Sequence, residues 1–273
     1  MSSVVALLTP VGRVRVTQPR VVRSEWTKLR SLRSTLWSLV AAVVLGIGLP
    51  CVFAAVTSSH WGGMSPHERA DRHPLDIALA GVNVAQLAIG VLGVLVISGE
   101  YGTGMIRATM SAVPTRLPVL WAKAAVFAVV TFVLMLPTVL IAFFASQAIV
   151  GHIAPLDISL SAPGVTRAVV GGALYLTVLG VICLGLGAIV RNTAGGIALF
   201  AGIFFVVPPL MNVLPSSWND AVSPYLPAAA GRDVFSLTAG AHDLGHWAGF
   251  GLFCGYGAAA IAIAAVLLVR RDT

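Results

Sequence analysis

Charge is what this chain has least of. Only 10% of its 273 residues are Asp, Glu, Lys or Arg, against about 25% in an average soluble domain. Ten are acids, and the only lysines are Lys28 and Lys123. So little charge cannot coat a water-soluble globule, which excludes a soluble enzyme and a disordered regulator alike. Cysteine is scarce as well. Cys51, Cys183 and Cys254 lie far apart, each in an apolar run, so neither a disulfide framework nor a thiolate metal site is indicated; small buried hydrophobes are expected there. Motifs for chemistry are missing too. No G-x-x-x-x-G-K-[ST] loop surrounds either lysine, so the chain does not hold ATP through a Walker motif. His67-Glu68-Arg69-Ala70-Asp71 ends in Asp where a zinc-protease helix needs its second His, and no G-x-S-x-G elbow occurs. Neither an enzyme nor a resident cofactor is expected.

What the chain has in quantity is apolar surface, 58% of residues, with a mean hydropathy of +0.93. A helix needs about 20 predominantly apolar residues to cross the hydrocarbon. Six stretches qualify, near 36–56, 77–98, 119–150, 165–190, 195–214 and 247–269. The expected fold is all-α: a polytopic membrane protein with six transmembrane helices. A flexible cytoplasmic lead is expected over 1–20, an interfacial amphipathic helix over 21–35, and the six-span domain over 36–273. The third stretch carries Pro137 near its middle and is long enough to tilt, kink or project from the bilayer. Pro208 and Pro209 stop the fifth before it has clearly crossed, so a short re-entrant or interfacial segment is expected beyond it.

The net charge of +7 would suggest nucleic acid in a soluble protein, but in a membrane protein it sets orientation. With the N-terminus inside, 13 of the 17 Lys and Arg fall on the cytoplasmic side. Only Arg69, Arg72, Arg167 and Arg232 face out. This asymmetry reads as a multi-pass protein of the cell membrane with both termini cytoplasmic and no nucleic-acid partner. All six histidines map to the outer side; His242 and His246 would share a helix face beside Asp243, a permissible metal spacing, although histidine is also simply tolerated in polar loops. No metal site is expected.

Ionisable groups are absent from span centres, which argues against a proton-coupled carrier. Asn83 and Gln86, three apart in the second span, are the polar exceptions. They face either a translocation path or, through interhelical hydrogen bonds, a neighbouring helix. Gly180, Gly185 and Gly187, and the pairs Gly245/Gly249 and Gly251/Gly255, read as places where helix backbones approach closely.

Two cytoplasmic segments carry the functional argument. From Val22 to Trp37, at about 100° per residue, Val22, Trp26, Leu29, Leu32, Leu36 and Trp37 gather on one arc, flanked by Lys28 and Arg30. That is how a helix lies in the headgroup layer. Glu25 and Arg33 fall inside the apolar arc, marking either a face against protein or irregularities in a plain anchor. Between the second and third spans, Gly99, Gly102 and Gly104 permit a sharp exit, Thr103 can cap a short helix, and Pro114 ends it. Such a helix would show Met105, Ile106 and Met110 beside Arg107 to the cytosol, an apolar surface that calls for a docking partner.

On these residues the chain resembles the membrane subunit of ABC-2 type transporters, particularly the small actinobacterial permeases. Glu25-Trp26-Thr27-Lys28-Leu29-Arg30-Ser31-Leu32-Arg33-Ser34 is similar to their Glu-x-x-Lys-hydrophobic-Arg-Ser-x-Arg-Ser run before the first span. Glu100-Tyr101-Gly102-Thr103-Gly104-Met105-Ile106-Arg107, with Pro114-Thr115-Arg116 following, resembles their Glu-Tyr-x-x-Gly-x-Ile-Arg and Pro-x-Arg elements. The resemblance implies a division of labour. ATP and Mg would bind a separate ATPase subunit, docked on a coupling helix containing Glu100, Tyr101, Thr103, Met105, Ile106, Arg107 and Met110. Glu25, Trp26, Lys28, Leu29, Arg30 and Arg33 would belong to an elbow helix. A second permease copy or paralogue would complete the path, and an amphipathic or hydrophobic compound (antibiotic, peptide or lipid) would be exported. The competing readings are a membrane-anchoring or sensory subunit without transport, and an autonomous secondary carrier.

Overall fold

Long apolar runs become helices because, in hydrocarbon, every backbone N–H and C=O must be bonded within its own segment. The computed structural model describes residues 18–102, 117–213, 215–237 and 244–270. In chain order these form α1 (Gln18–Ser31), α2 (Arg33–His60), α3 (Pro66–Ala70), α4 (Pro74–Gly102), α5 (Leu117–Val150) and α6 (Val165–Val190). There follow α7 (Thr193–Ala201), a π turn (Gly202–Val206), α8 (Val207–Met211), α9 (Ser216–Val222), α10 (Pro227–Arg232) and α11 (His246–Arg270). No strand occurs among the described residues. Among the described residues six helices are long and apolar enough to cross a membrane: α2, α4, α5, α6, the α7–α8 run and α11. The protein is an all-α, multi-pass membrane protein.

The most enclosed spans are α4 and α6, and glycine is what lets their neighbours close on them. A Cβ on Gly81 of α4 would stand 2.1 Å from the carbonyl oxygen of Gly46 in α2. That carbonyl lies four residues before Pro50, so its helical N–H donor is missing. The Gly81 Cα–H covers it instead. Between α4 and α6, a Cβ on Gly93 would stand 2.5 Å from the Gly180 carbonyl, and one on Gly187 2.8 Å from the Val94 carbonyl. Gly185 packs against Ala260 of α11, whereas Gly251 and Gly255 meet nothing within 4 Å.

Two elements differ from the sequence reading. The second span does not leave at Gly99; α4 stays helical through Glu100 and Tyr101 to Gly102, because both side chains are held from other helices. Nor do Pro208 and Pro209 end the fifth span. They fall in the first turn of α8, where missing N–H groups cost least, and the π turn before it shifts the hydrogen-bond register.

Beyond α8 the chain turns back along α6. Gly231 packs on Tyr175, Gly171 faces the Val234 carbonyl, and Arg167 donates to the carbonyls of Val234 (2.8 Å) and Ser236 (2.9 Å). Tyr175 is ten residues into α6, about 15 Å along it. Thus α10 penetrates between α6 and α11 to that depth, with Tyr175 stacked on Phe253 and tilted against Phe235.

The two ends of the bundle are chemically distinct. Trp26, Trp37 and Trp121 ring the end that carries α1, and Trp61, Trp218 and Trp247 the other, as aromatic belts do at the two membrane surfaces. Eight described cations gather at the α1 end and only Arg69, Arg72, Arg167 and Arg232 toward the opposite one.

Candidate functional site

The sequence of α1 buries one line of residues, Val21, Glu25 and Leu29, spaced four apart. Val21 packs on Val119 and Ala122 at the start of α5. This sets α1 across the foot of α5 and turns Glu25 inward, while Val22 and Trp26 stay exposed. Leu29 joins the core between α4 and α5. Arg30 is exposed, and Arg33, at the head of α2, is exposed too. Of the two residues that broke the apolar arc, Glu25 therefore lies against protein and Arg33 does not.

Glu25 joins a cluster of charges from three helices. Lys123 Nζ of α5 donates to Glu25 Oε2 at 2.5 Å and to Glu100 Oε1 of α4 at 3.0 Å. Lys28 Nζ, one turn along α1, donates to Glu25 Oε1 at 2.7 Å and to Glu100 Oε1 at 3.0 Å. Each ammonium thus touches both carboxylates, and the four form a closed ring of alternating charge. Glu25, Lys123 and Glu100 are 2%, 3% and 7% exposed. Such burial is tolerated only because every charge is matched. Both lysines of the chain are consumed here, and the compact ammonium with its three donors is the cation that can serve two carboxylates at once.

Burial alone would lower the pKa of Lys28, but its hydrogen bond to Glu25 and the charges of Glu100 and Glu25 more than offset this. Its ammonium is held above the usual 10.5. Glu100 sits in the last turn of α4, where a helix dipole disfavours an anion, so the lysines also compensate for its position. A cavity of about 310 Å³ adjoins the ring, walled by Leu29, Leu32, Leu95 and Val96.

The ring has a topological consequence. Glu100 and Lys123 flank residues 103–116, so their ion pair closes that segment at its base. Beside it, Arg191 at the end of α6 lies over the Tyr101 ring, 5.2 Å from its centroid, and donates to the Leu267 carbonyl of α11. Ser98 pairs with Thr193 of α7 at 2.9 Å. The last turn of α4 is therefore tied to α1, α5, α6 and α7, and through Arg191 to α11. Thr103, Met105, Ile106, Arg107 and Met110 lie outside the described residues.

Asn83 and Gln86 part company. Gln86 is buried and accepts a 2.5 Å hydrogen bond from Tyr175 of α6. Asn83 is exposed and lines a groove near the opposite end with Asp76 and Arg232. His246 bonds the Asp233 carbonyl at 2.7 Å, and His242 and Asp243 lie outside the described residues. Among the described residues no group of three His, Cys, Asp or Glu is placed to hold a metal ion.

Nothing in the sequence alone paired Glu25 with Lys123, 98 positions away. The signal was local: an acid inside an apolar arc, in a chain with only two lysines.

Comparison with curated proteins finds no match. A family model described as ABC-2 family transporter protein matches residues 21–208. Its span begins within α1 and ends in α8, taking in the whole charge ring and the helices it joins, and the chain belongs to that family of membrane transport components.

Proposed function

We propose that this chain is the permease subunit of an ABC exporter, driven by ATP and Mg bound in a separate ATPase subunit. The observation that carries the reading is the ring at the foot of residues 103–116. A docking segment that must pass force to the spans needs a stiff base, and the Glu25–Lys28–Glu100–Lys123 ring supplies one. On this reading Glu100 and Tyr101 begin the coupling element, continued by Thr103, Met105, Ile106, Arg107 and Met110, and α1 is the elbow. Closure of two ATPases would push two such segments together. The last turn of α4 would move with α1 and the foot of α5 as one body, tipping the spans between two states biased by nucleotide.

The α1 end, with its excess of cations, is cytoplasmic on the positive-inside rule, with both termini there and the plasma membrane as the location. A second permease copy or a paralogue would complete the path. The apolar spans and the exposed Asn83 suit an amphipathic or hydrophobic cargo such as an antibiotic, peptide or lipid.

Glu100→Ala and Arg107→Ala test the docking assignment. Both variants are expected to insert normally but to lose copurification with the ATPase, or its stimulated hydrolysis. Wild-type copurification together with wild-type stimulation in both would overturn it.

A further inference from the structure

Two charged side chains and an amide line one groove on the outside of the bundle. Asp76 and Asn83 of α4 and Arg232 of α10, with Leu79, Phe235 and Ser236, surround about 260 Å³. All three are exposed, and none makes an ion pair or a side-chain hydrogen bond among the described residues. Their depth makes this costly. Asn83 is nine residues into α4, roughly 13 Å, and Arg232 follows Gly231, which packs on Tyr175 about 15 Å along α6. A guanidinium and an amide at that depth usually face protein, water or a ligand, and mark a functional site. Asp76, in the first turn of α4, stands at the mouth. Leu79 and Phe235 give the groove an apolar wall.

We propose that this groove binds an amphiphile whose head carries a phosphate or carboxylate beside an ammonium. The anion pairs with Arg232 and takes a hydrogen bond from the Asn83 amide. The ammonium lies against Asp76, and the acyl tail runs along the exposed face of α4, where Leu87 is exposed. A simple anion would leave Asp76 repelling it, and a simple cation would leave Arg232 doing so; the zwitterion satisfies both. Two sources share this chemistry, a bilayer lipid and an exported amphiphile. That the occupant is cargo rests on the permease reading; that it binds does not.

The test uses the full chain purified in maltoside, without ATPase, titrated by native mass spectrometry with dioleoyl-phosphatidylethanolamine, dioleoyl-phosphatidylglycerol and Nα-lauroyl-lysine. Loss of one charge-assisted contact should weaken a ligand by at least about tenfold. Arg232→Gln should do so for every probe that binds, whereas Asp76→Asn should weaken the two zwitterions and tighten phosphatidylglycerol. Arg232→Lys should retain part of the binding, which separates loss of contact from loss of fold. Arg69→Gln, outside the groove, should change nothing. Displacement of phosphatidylethanolamine by lauroyl-lysine identifies a cargo-type site, and its failure a lipid site; either supports the groove. Binding indifferent to Arg232→Gln and Asp76→Asn overturns it. So does absence of binding by all three probes; loss of dimers in Arg232→Gln would then assign Arg232 to a subunit contact. Failure on either count leaves the permease reading to the ATP-dependent assays.

Discussion

Lys123 is the residue on which most depends. It is 3% exposed and is shared between Glu25 and Glu100, so Lys123→Ala leaves an acid buried without its second cation. Removing one partner of a buried pair costs about 3–5 kcal/mol. The expected result is a marked fall in thermal stability of the purified chain, recovered in large part by adding Glu25→Ala, which leaves the neutral Lys28–Glu100 pair. Lys123→Arg should not rescue, because a planar fork suited to one carboxylate replaces a point charge between two. Thermal unfolding in detergent measures all three. Lys28 adds a pH signature. Its folded pKa lies above 10.5, so its contribution is fully present below the unfolded value and is lost as pH rises through the folded one. The stability difference between wild type and Lys28→Gln should therefore hold from about pH 7 to about pH 9 and shrink only in stronger alkali.

Helices were far more legible than their partners. Length and hydropathy marked all six spans because a bilayer imposes one requirement on every crossing segment. The end of α4 was not legible: Gly99 and Gly102 argue locally for an exit, and only charges arriving from α1 and α5 keep the helix wound through Glu100. Asn83 and Gln86 show the same limit at smaller scale. Three residues turn a helix by about 300°, and the remaining 60° suffices to put one at the surface and the other against Tyr175. The kinship of α2 and α4 was hidden as well, since glycine is common everywhere in this chain. Their crossing predicts a sharp asymmetry between substitutions. Gly81→Ala drives a Cβ to 2.1 Å from the Gly46 carbonyl and should destabilise by at least about 1–3 kcal/mol. Gly251→Ala, with nothing within 4 Å, should be neutral or mildly stabilising. Melting temperatures of the two variants side by side decide this.

At the scale of the molecule, an uneven distribution of scarce charge organises the bundle. The α1 end holds the ring, most of the described cations and the roots of residues 103–116. The opposite end holds the inserted α10 and the Asp76–Asn83–Arg232 groove. Family membership makes the chain a transport component. A motor docked at the α1 end and a cargo groove toward the other would be joined by α4, which runs from Asp76 at the groove to Glu100 in the ring. The most direct measurement reconstitutes the chain in liposomes with and without its cognate ATPase and follows transbilayer movement of acyl-labelled phosphatidylethanolamine and of Nα-lauroyl-lysine, whichever binds the groove. Movement that needs both the ATPase and ATP hydrolysis, and that falls with Glu100→Ala, is the predicted result. Movement by the chain alone, under a proton or sodium gradient and without ATP, would contradict the account.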